Sequence, residues 1–286
     1  MSLSSLQLDA FLTLAQNGNF SVAAGKLNIT QSALSQRIQN LEDELESTLF
    51  VRDPKKLTLT PLGHELLRYC QSKAALEEEF LKKQKVSANE LVGTARIAGF
   101  STVVRSVILP ALRNIALENS KLQFEFLTKE IRDLFPALEK GETDFIVTNE
   151  KLQRQGIEVH FLGFEVNVLV RSKNQKTTSD LFLDHDYEDA TTNTFLQSQV
   201  KKIEKLRRSY FDEIYTIIDG VALGYGRAVV PAHLVNANKE LEIVPEFRPL
   251  KTPVYLSYFT KSYYPALHQK IIDVLKKESV KFLLGK

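Results

Sequence analysis

With Cys70 as its only cysteine, the chain can form no intrachain disulfide, no multi-thiolate metal site and no two-cysteine redox switch. A lone buried thiol is the role left for it. No stretch approaches the roughly 18 uninterrupted apolar residues that a membrane span requires, and the start, Met1 to Asp9, lacks a basic segment followed by an apolar one. A cytoplasmic protein with no membrane partner is expected. Strong charge of one sign is missing too: the formal net charge is +2, where nucleic-acid binders often carry a large positive excess. Catalytic signatures are equally scarce. The five histidines, His64, His160, His185, His233 and His268, include no ligand-spaced pair, and neither a Gly-x-Ser-x-Gly elbow nor a phosphate loop occurs. Asp184-His185-Asp186 is the one tempting cluster and reads as a solvated loop. Gly224-Tyr225-Gly226 lacks the glycine spacing of a dinucleotide fingerprint. No catalytic residue, metal ligand or cofactor is assigned.

What is present is ordinary globular material, 43% hydrophobic and 25% charged over 286 residues, enough for two or three domains with separate cores. Over residues 1–63 five basic residues (Lys26, Arg37, Arg52, Lys55, Lys56) face six acidic ones (Asp9, Glu42, Asp43, Glu44, Glu46, Asp53). Distribution therefore matters more than the sum, and four of the acids crowd into 42–46, away from the bases.

Leu6, Leu8, Phe11, Leu12 and Leu14 recur at helical spacing until Asn17-Gly18-Asn19, a stop signal. Ser21 reads as the cap of a short second helix whose Ala23, Ala24 and Gly25 permit close packing. Asn28-Ile29-Thr30 forms a break, with Asn28 suited to a left-handed turn and Thr30 to capping. In the third helix Leu34, Ile38, Leu41 and Leu45 make one apolar stripe. The other side carries Gln31, Ser32, Ser35, Gln36 and Gln39, which both donate and accept hydrogen bonds as base-edge reading requires, with Arg37 beside them for phosphate or guanine. A solvated amphipathic face is the plain alternative. After Asp53-Pro54-Lys55-Lys56, a turn, Leu57 to Thr60 alternates like a strand. The resulting hairpin would hold Arg52, Lys55 and Lys56 near the DNA backbone or minor groove, contributing salt-sensitive affinity.

The run from Phe20 through Thr30-Gln31-Ser32-Ala33-Leu34-Ser35-Gln36-Arg37 to Glu42 resembles the signature of LysR-type transcriptional regulators, and the likeness continues through Leu49-Phe50-Val51-Arg52 and Leu59-Thr60-Pro61-Leu62-Gly63. The resemblance implies that Gln31, Ser32, Ser35 and Gln36 face bases and that Arg52 lies near the wing contacts. Glu46 departs from it, standing where the family commonly has glycine, and the wing is compact. The stretch from Ile29 to Ile38 is similar to that of the branch controlling basic amino-acid export, a likeness confined to the DNA-reading element and so silent on the ligand.

Thr60-Pro61 opens a long helix, with Thr60 as cap and Pro61 where a missing N–H costs nothing. Leu62, Leu66, Tyr69, Lys73, Leu76 and Phe80 form its stripe, widened by Leu67, Cys70, Ala74 and Leu81. Either a second copy covers that stripe or the chain's own later domain does; the resemblance implies a dimer, or a tetramer. A dimer would read a two-fold symmetric operator in double-stranded DNA. Ser87-Ala88-Asn89-Glu90 breaks the periodicity and marks a hinge.

Beyond it, strands at Thr94–Gly99, Leu122–Leu127 and Asp144–Thr148 alternate with helices at Val103–Glu118 and Ile131–Lys140, a βαβαβ unit with parallel strands. Ligands bind such sheets at the strand C-termini, where Ser101, Thr102, Thr128, Thr148 and Asn149 converge beside a helix N-terminus that favours anions. A carboxylate-bearing effector fits. Val166–Val170 and Val254–Phe259 read as strands crossing to a second α/β unit at about 171–253. There Asn193-Thr194, before a helix over Phe195–Tyr210, matches the family's second ligand loop, and 220–231 its glycine-rich segment. A helix over Pro265–Leu284 closes the chain. Each hydroxyl or amide is equally able to cap or turn.

The expected architecture is α+β and multidomain: a winged helix-turn-helix over 1–63, a linker and dimerisation helix over 64–90, and an effector domain over 91–286. The effector domain is two-lobed, lobe I at about 91–165 and 260–286 and lobe II at about 166–259, and resembles periplasmic solute-binding proteins. The expected function is effector-responsive, sequence-specific DNA binding, with RNA polymerase a further partner. The rival readings are a solute-binding protein or an α/β enzyme carrying an accessory DNA-binding module.

Overall fold

The computed structural model describes residues 3–53, 56–83, 91–174, 180–200, 206–235, 238–261 and 263–283. Helical periodicity organises the first part. Helices α1 (Ser5–Asn17), α2 (Phe20–Lys26) and α3 (Gln31–Glu44) bury Leu8, Phe11 and Leu14, Ala23 and Ala24, and Leu34, Ile38 and Leu41 in one core. The two alanines allow α2 to approach closely. Asn19, not Ser21, caps α2: its backbone is extended and its side chain accepts the Val22 N–H at 3.1 Å, so the helix starts a residue before Ser21. The Ser21 hydroxyl instead donates to Gln31 Oε1 at 3.3 Å. Thr30 caps α3 through the Ala33 N–H at 3.2 Å. Asn28 (φ 53) and Glu46 (φ 50) both occupy the left-handed region, so the glutamate at 46 accepts a backbone shape for which glycine is the unstrained choice.

Strands β1 (Phe50–Asp53) and β2 (Lys56–Leu59) pair antiparallel with Arg52 opposite Leu57 and Asp53 opposite Lys56, the expected wing; Lys55 lies outside the described residues. Thr60 then caps α4 (Pro61–Lys83), accepting the Gly63 N–H at 3.0 Å. A Cβ at Gly63 would meet the Leu49 carbonyl oxygen at 2.3 Å, which is why only glycine fits where α4 crosses the wing's base. The stripe on α4 divides. Leu66, Leu67 and Cys70 join the helix-turn-helix core, whereas Tyr69, Leu76, Phe80 and Leu81 are exposed. Burial pushes the Cys70 thiol up to about 11, which leaves it protonated and unreactive. The helix also meets the later domain, with the Arg68 guanidinium 5.1 Å from the Phe259 ring centre. The hinge expected at Ser87–Glu90 lies outside the described residues.

The parallel unit expected from the alternating elements is present: β3 (Gly93–Gly99) lies between β4 (Leu122–Thr128) and β5 (Phe145–Thr148), parallel to both. The crossover from β3 comprises α5 (Ser101–Val103), a π-helical segment Val104–Ile108 and α6 (Leu109–Glu118). Pro110 supplies the cause of the widened turns, since it cannot donate to the preceding turn and its ring needs room there. Helix α7 (Ile131–Glu139) makes the second crossover.

The second lobe is not a detached unit. Strand β6 (Ile157–Ser172) is 16 residues long and β11 (Leu250–Phe259) runs antiparallel to it; with β9 (Ala228–Pro231) and β10 (Leu241–Ile243), one seven-stranded sheet spans both lobes in the order β10-β6-β11-β5-β3-β4, β9 also pairing with β6. Gly163 (φ 151) sits beside the register shift between Val254 and Tyr255, where these strands bend from one lobe to the other. The helix expected over Phe195–Tyr210 is two elements. Helix α8 (Thr191–Gln197) is ended by Gln199, whose side-chain amide donates to the carbonyls of Phe195 and Arg248, and Arg207–Tyr210 is strand β8, parallel to β7 (Leu181–Asp184). Helix α9 (Ile214–Ala222), β9 (Ala228–Pro231), α10 (Ala232–Val235) and β10 (Leu241–Ile243) complete the lobe. The last helix, α11 (Ala266–Glu278), is shorter than its periodicity implied and closes in a 3₁₀ turn at Ser279–Lys281. No helix among the described residues is long and apolar enough to cross a membrane.

Candidate functional site

Two surfaces carry the polar residues singled out by the sequence. The first is the outer face of α3. Burial of Leu34, Ile38 and Leu41 turns Gln31, Ser32 and Gln36 fully outward, with Ser35 and Arg37 half-buried at the edges. Their side chains are held by neighbours: Thr30 and Ser32 hydroxyls lie 3.0 Å apart, and Gln36 Nε2 donates to Asn40 Oδ1 at 2.8 Å. Such local bonds restrict their rotamers. Arg52 and Lys56 are placed by their backbones on the wing.

A buried acid positions that wing, and the sequence reading missed its part. Glu42 on the inner side of α3 is only 7% exposed and accepts the Leu49 N–H at 2.6 Å and the Phe50 N–H at 3.3 Å. These two amides begin the hairpin, so the carboxylate fixes the wing to α3. The detectable signal was a glutamate one residue after Leu41 in an otherwise outward acidic run.

The second site is a cleft of about 620 Å³ between the lobes. Strands β6 and β11 form its floor through Glu165, Asn167, Leu250 and Thr252, with Asn167 Nδ2 donating to Thr252 Oγ1 at 3.0 Å. Of the seven residues expected to meet a ligand, the fold brings Ser101, Thr102, Thr128, Asn149 and Thr194 to this cleft. Thr148 and Asn193 do not line it. Thr148 is buried and its hydroxyl oxygen accepts the Glu150 N–H at 3.1 Å, while Asn193 is exposed on α8.

Charge around the cleft comes from both lobes: Lys129, Glu130, Arg132 and Glu150 from the first, Asp184, His185, Asp186, Glu188 and Asp189 from the second. Across the mouth Arg132 pairs with Glu188, and His185 Nε2 lies 3.9 Å from Glu130. The Arg132–Glu188 pair is more than half exposed on both sides and contributes under about 1 kcal/mol. The segment Asp184-His185-Asp186 is not the solvated loop its composition implied. Asp184 is 2% exposed, accepts from the Thr192 hydroxyl and pairs with Arg208, whose other guanidinium nitrogen donates to the Asp189 carbonyl at 2.6 Å. This tie holds the α8 loop against β8.

Glu165 is the other residue that sequence reasoning passed over. It is 6% exposed, and Thr102 donates to its Oε1 at 2.9 Å. Burial pushes its carboxyl up to about 7, the Thr102 hydrogen bond opposing. A charged residue and an asparagine two apart in Phe164-Glu165-Val166-Asn167-Val168 share one face of a strand, and that alternation is the signal that could have found them. No cluster of three or more His, Cys, Asp or Glu able to hold a metal ion occurs among the described residues.

Comparison with known proteins bears on both surfaces. The family model described as "Bacterial regulatory helix-turn-helix protein, lysR family" matches residues 6–64, and the model "LysR substrate binding domain" matches residues 88–279. The HTH-type transcriptional activator IlvY of Salmonella typhimurium is 24% identical over 288 residues, covering 94% of this chain and 97% of that protein. The HTH-type transcriptional regulator MetR of the same organism is 31% identical over 182 residues, 61% of this chain and 56% of its own length. Among solved structures, ArgP from Mycobacterium tuberculosis superposes over all of both chains with a TM-score of 0.79 at 20% identity. LysG from Corynebacterium glutamicum, solved with bound effector Arg, superposes over 98% of this chain and 99% of its own with a TM-score of 0.74 at 19% identity.

Proposed function

Because the chain belongs to the LysR family of bacterial regulatory helix-turn-helix proteins, we propose that it is a cytoplasmic regulator that reads operator DNA with α3 and senses a carboxylate-bearing metabolite in the interlobe cleft. DNA binding and effector response are the family's activities; the residues that perform them here are our assignment. Gln31, Ser32, Ser35 and Gln36 meet base edges, Arg37 meets phosphate or guanine, and Arg52, Lys55 and Lys56 on the wing neutralise backbone charge. The divisions that follow are 1–63 for DNA, 64–90 for linkage and 91–286 for the effector.

The observation that carries the effector half is the convergence of Ser101, Thr102, Thr128, Asn149 and Thr194 on one cleft from two lobes. Their hydroxyl and amide donors, with the helical run that opens at Ser101, suit a carboxylate. Closure of the lobes on that molecule would re-space the paired recognition helices of a dimer joined through Tyr69, Leu76, Phe80 and Leu81, altering DNA bend and contact with RNA polymerase. LysG, with arginine bound, is a relative in fold whose effector carries a carboxylate. No catalytic role is assigned to any residue.

The test is DNase footprinting of full-length protein on genomic fragments it enriches, with Gln31→Ala/Gln36→Ala beside the wild type. Loss of sequence discrimination with a retained dimer is expected. Unchanged footprints in that double variant would overturn the base-reading assignment, and unchanged wild-type footprints in cell extract and in dialysed buffer would overturn effector control.

A further inference from the structure

Every cation that reaches the interlobe cleft among the described residues already has a carboxylate. Lys129 Nζ lies 3.1 Å from Glu142, Arg132 pairs with Glu188 and Arg208, behind the wall, pairs with Asp184. Glu165 is different. It stands at the floor, where β6 passes between the lobes, and among the described residues its side-chain partner is the neutral Thr102 hydroxyl. Isolating a carboxylate from water without a countercharge is costly, so the group tends to take up a proton, and a perturbed acid of this kind in a cleft marks a functional site. A second acceptor points the same way: Asn149 Oδ1, also at the cleft, is buried and has no hydrogen-bond partner among the described residues.

We propose that Glu165 is the specificity-determining anchor for a cationic nitrogen, so that the effector is a zwitterion whose ammonium or guanidinium group rests on the Glu165 carboxylate. This rests on the cleft being the effector site, with the effector's carboxylate held at the hydroxyl and amide arc above. Thr102 directs its hydroxyl proton to Glu165, so the donors left for the carboxylate are Ser101, Thr128, Asn149 and Thr194 on the loops, while the acid lies on the crossing strand β6. A neutral or purely anionic molecule of the same shape leaves Glu165 unpaired, or forces it to remain protonated, and loses affinity accordingly.

Cation binding favours the ionised carboxylate, which burial holds half-protonated near neutrality. Affinity for the cation therefore falls about tenfold from pH 8 to pH 6 as Glu165 takes up its proton, and binding near pH 7 releases protons to the buffer. Lys129, Glu130, Arg132 and Glu150 of the first lobe and Asp184, His185, Asp186, Glu188 and Asp189 of the second also face this space. A Glu165→Gln variant separates its titration from theirs, and it keeps an oxygen to accept from Thr102.

The experiment is calorimetric titration of the full-length protein with L-arginine, L-lysine and the neutral amino acids. Each is paired with an isostere whose nitrogen is uncharged or replaced by hydroxyl. At least one cationic member is expected to bind about tenfold or more tighter than its isostere, to lose that advantage in Glu165→Gln, and to lose its pH dependence there as well. If isosteres bind as tightly as the amines, if Glu165→Gln leaves the preference intact, or if no amine binds, the cation assignment is overturned. Asn149→Ala distinguishes the two levels: ligands whose binding it weakens occupy the cleft whether or not Glu165 matters, and ligands indifferent to both substitutions show that the cleft itself is not the site.

Discussion

Two glutamates are buried almost equally, Glu42 in the DNA-binding domain and Glu165 in the effector domain, at 7% and 6% exposure. Their surroundings differ in what they supply. Two backbone amides at the base of the wing bond Glu42, whereas Glu165 has the Thr102 hydroxyl and an open cleft. Burial by itself therefore does not separate a structural acid from a binding one; the supply of partners does. The first domain uses its buried acid to complete a fold, and the second leaves its acid with a single hydroxyl partner among the described residues, facing the cleft.

The comparison can be broken most directly at Glu42. Replacing it with alanine leaves two buried N–H groups unsatisfied and should destabilise the DNA-binding domain by roughly 2–4 kcal/mol. Amide exchange at Leu49 and Phe50 reports it; a loss below about 1 kcal/mol would mean that the wing is held by its own pairing.

At Glu165 the sign reverses. Its folded carboxyl is raised from 4.5 to about 7, so between those values the folded state keeps a proton that the unfolded chain has released, and stability falls as pH rises across that window. The loss is complete above about 7 and amounts to about 3 kcal/mol. Glu165→Gln should restore most of it in ligand-free protein at pH 8 and almost none at pH 4, read by denaturant unfolding of the effector domain. Equal effects at both pH values would count against a buried, titrating acid.

Thr102→Val removes the one hydroxyl that favours the ionised form, pushing Glu165 further up and costing about 1 kcal/mol at pH 8. The same substitution in a Glu165→Gln background should cost less if the two groups act as a pair, which a double-mutant cycle measures. Smallest of all is Arg132→Ala at the rim. Because both partners of that ion pair are more than half exposed, the stability change should stay under about 0.5 kcal/mol. A larger loss would show that the mouth, rather than the floor, holds the lobes together.

How much of this was legible varies by region, for a physical reason. In the first 63 residues nearly every partner is near in sequence: Thr30 caps Ala33, the apolar stripe of α3 repeats every three or four residues, and the wing pairs Asp53 with Lys56 across its turn. Periodicity reports such contacts. The parallel unit of the first lobe was readable from its alternating elements for the same reason, and five of seven expected ligand residues reach the cleft because strand ends and helix starts are local features. Failures cluster where partners are distant. Asp184 looked solvated because Arg208 is 24 residues away, and the end of α8 was invisible because Arg248, which holds Gln199, is 49 residues on.

By itself the sequence determined the helix-turn-helix, the polar face of its third helix and the alternation that builds a parallel sheet, since each follows from spacing along one segment. Tertiary structure alone decided that one sheet runs through both lobes and that Glu42 clamps a hairpin. It also decided that Glu165 sits under a cleft with no countercharge among the described residues, because whether a buried carboxylate finds a donor depends on atoms that the fold, not the chain order, brings near.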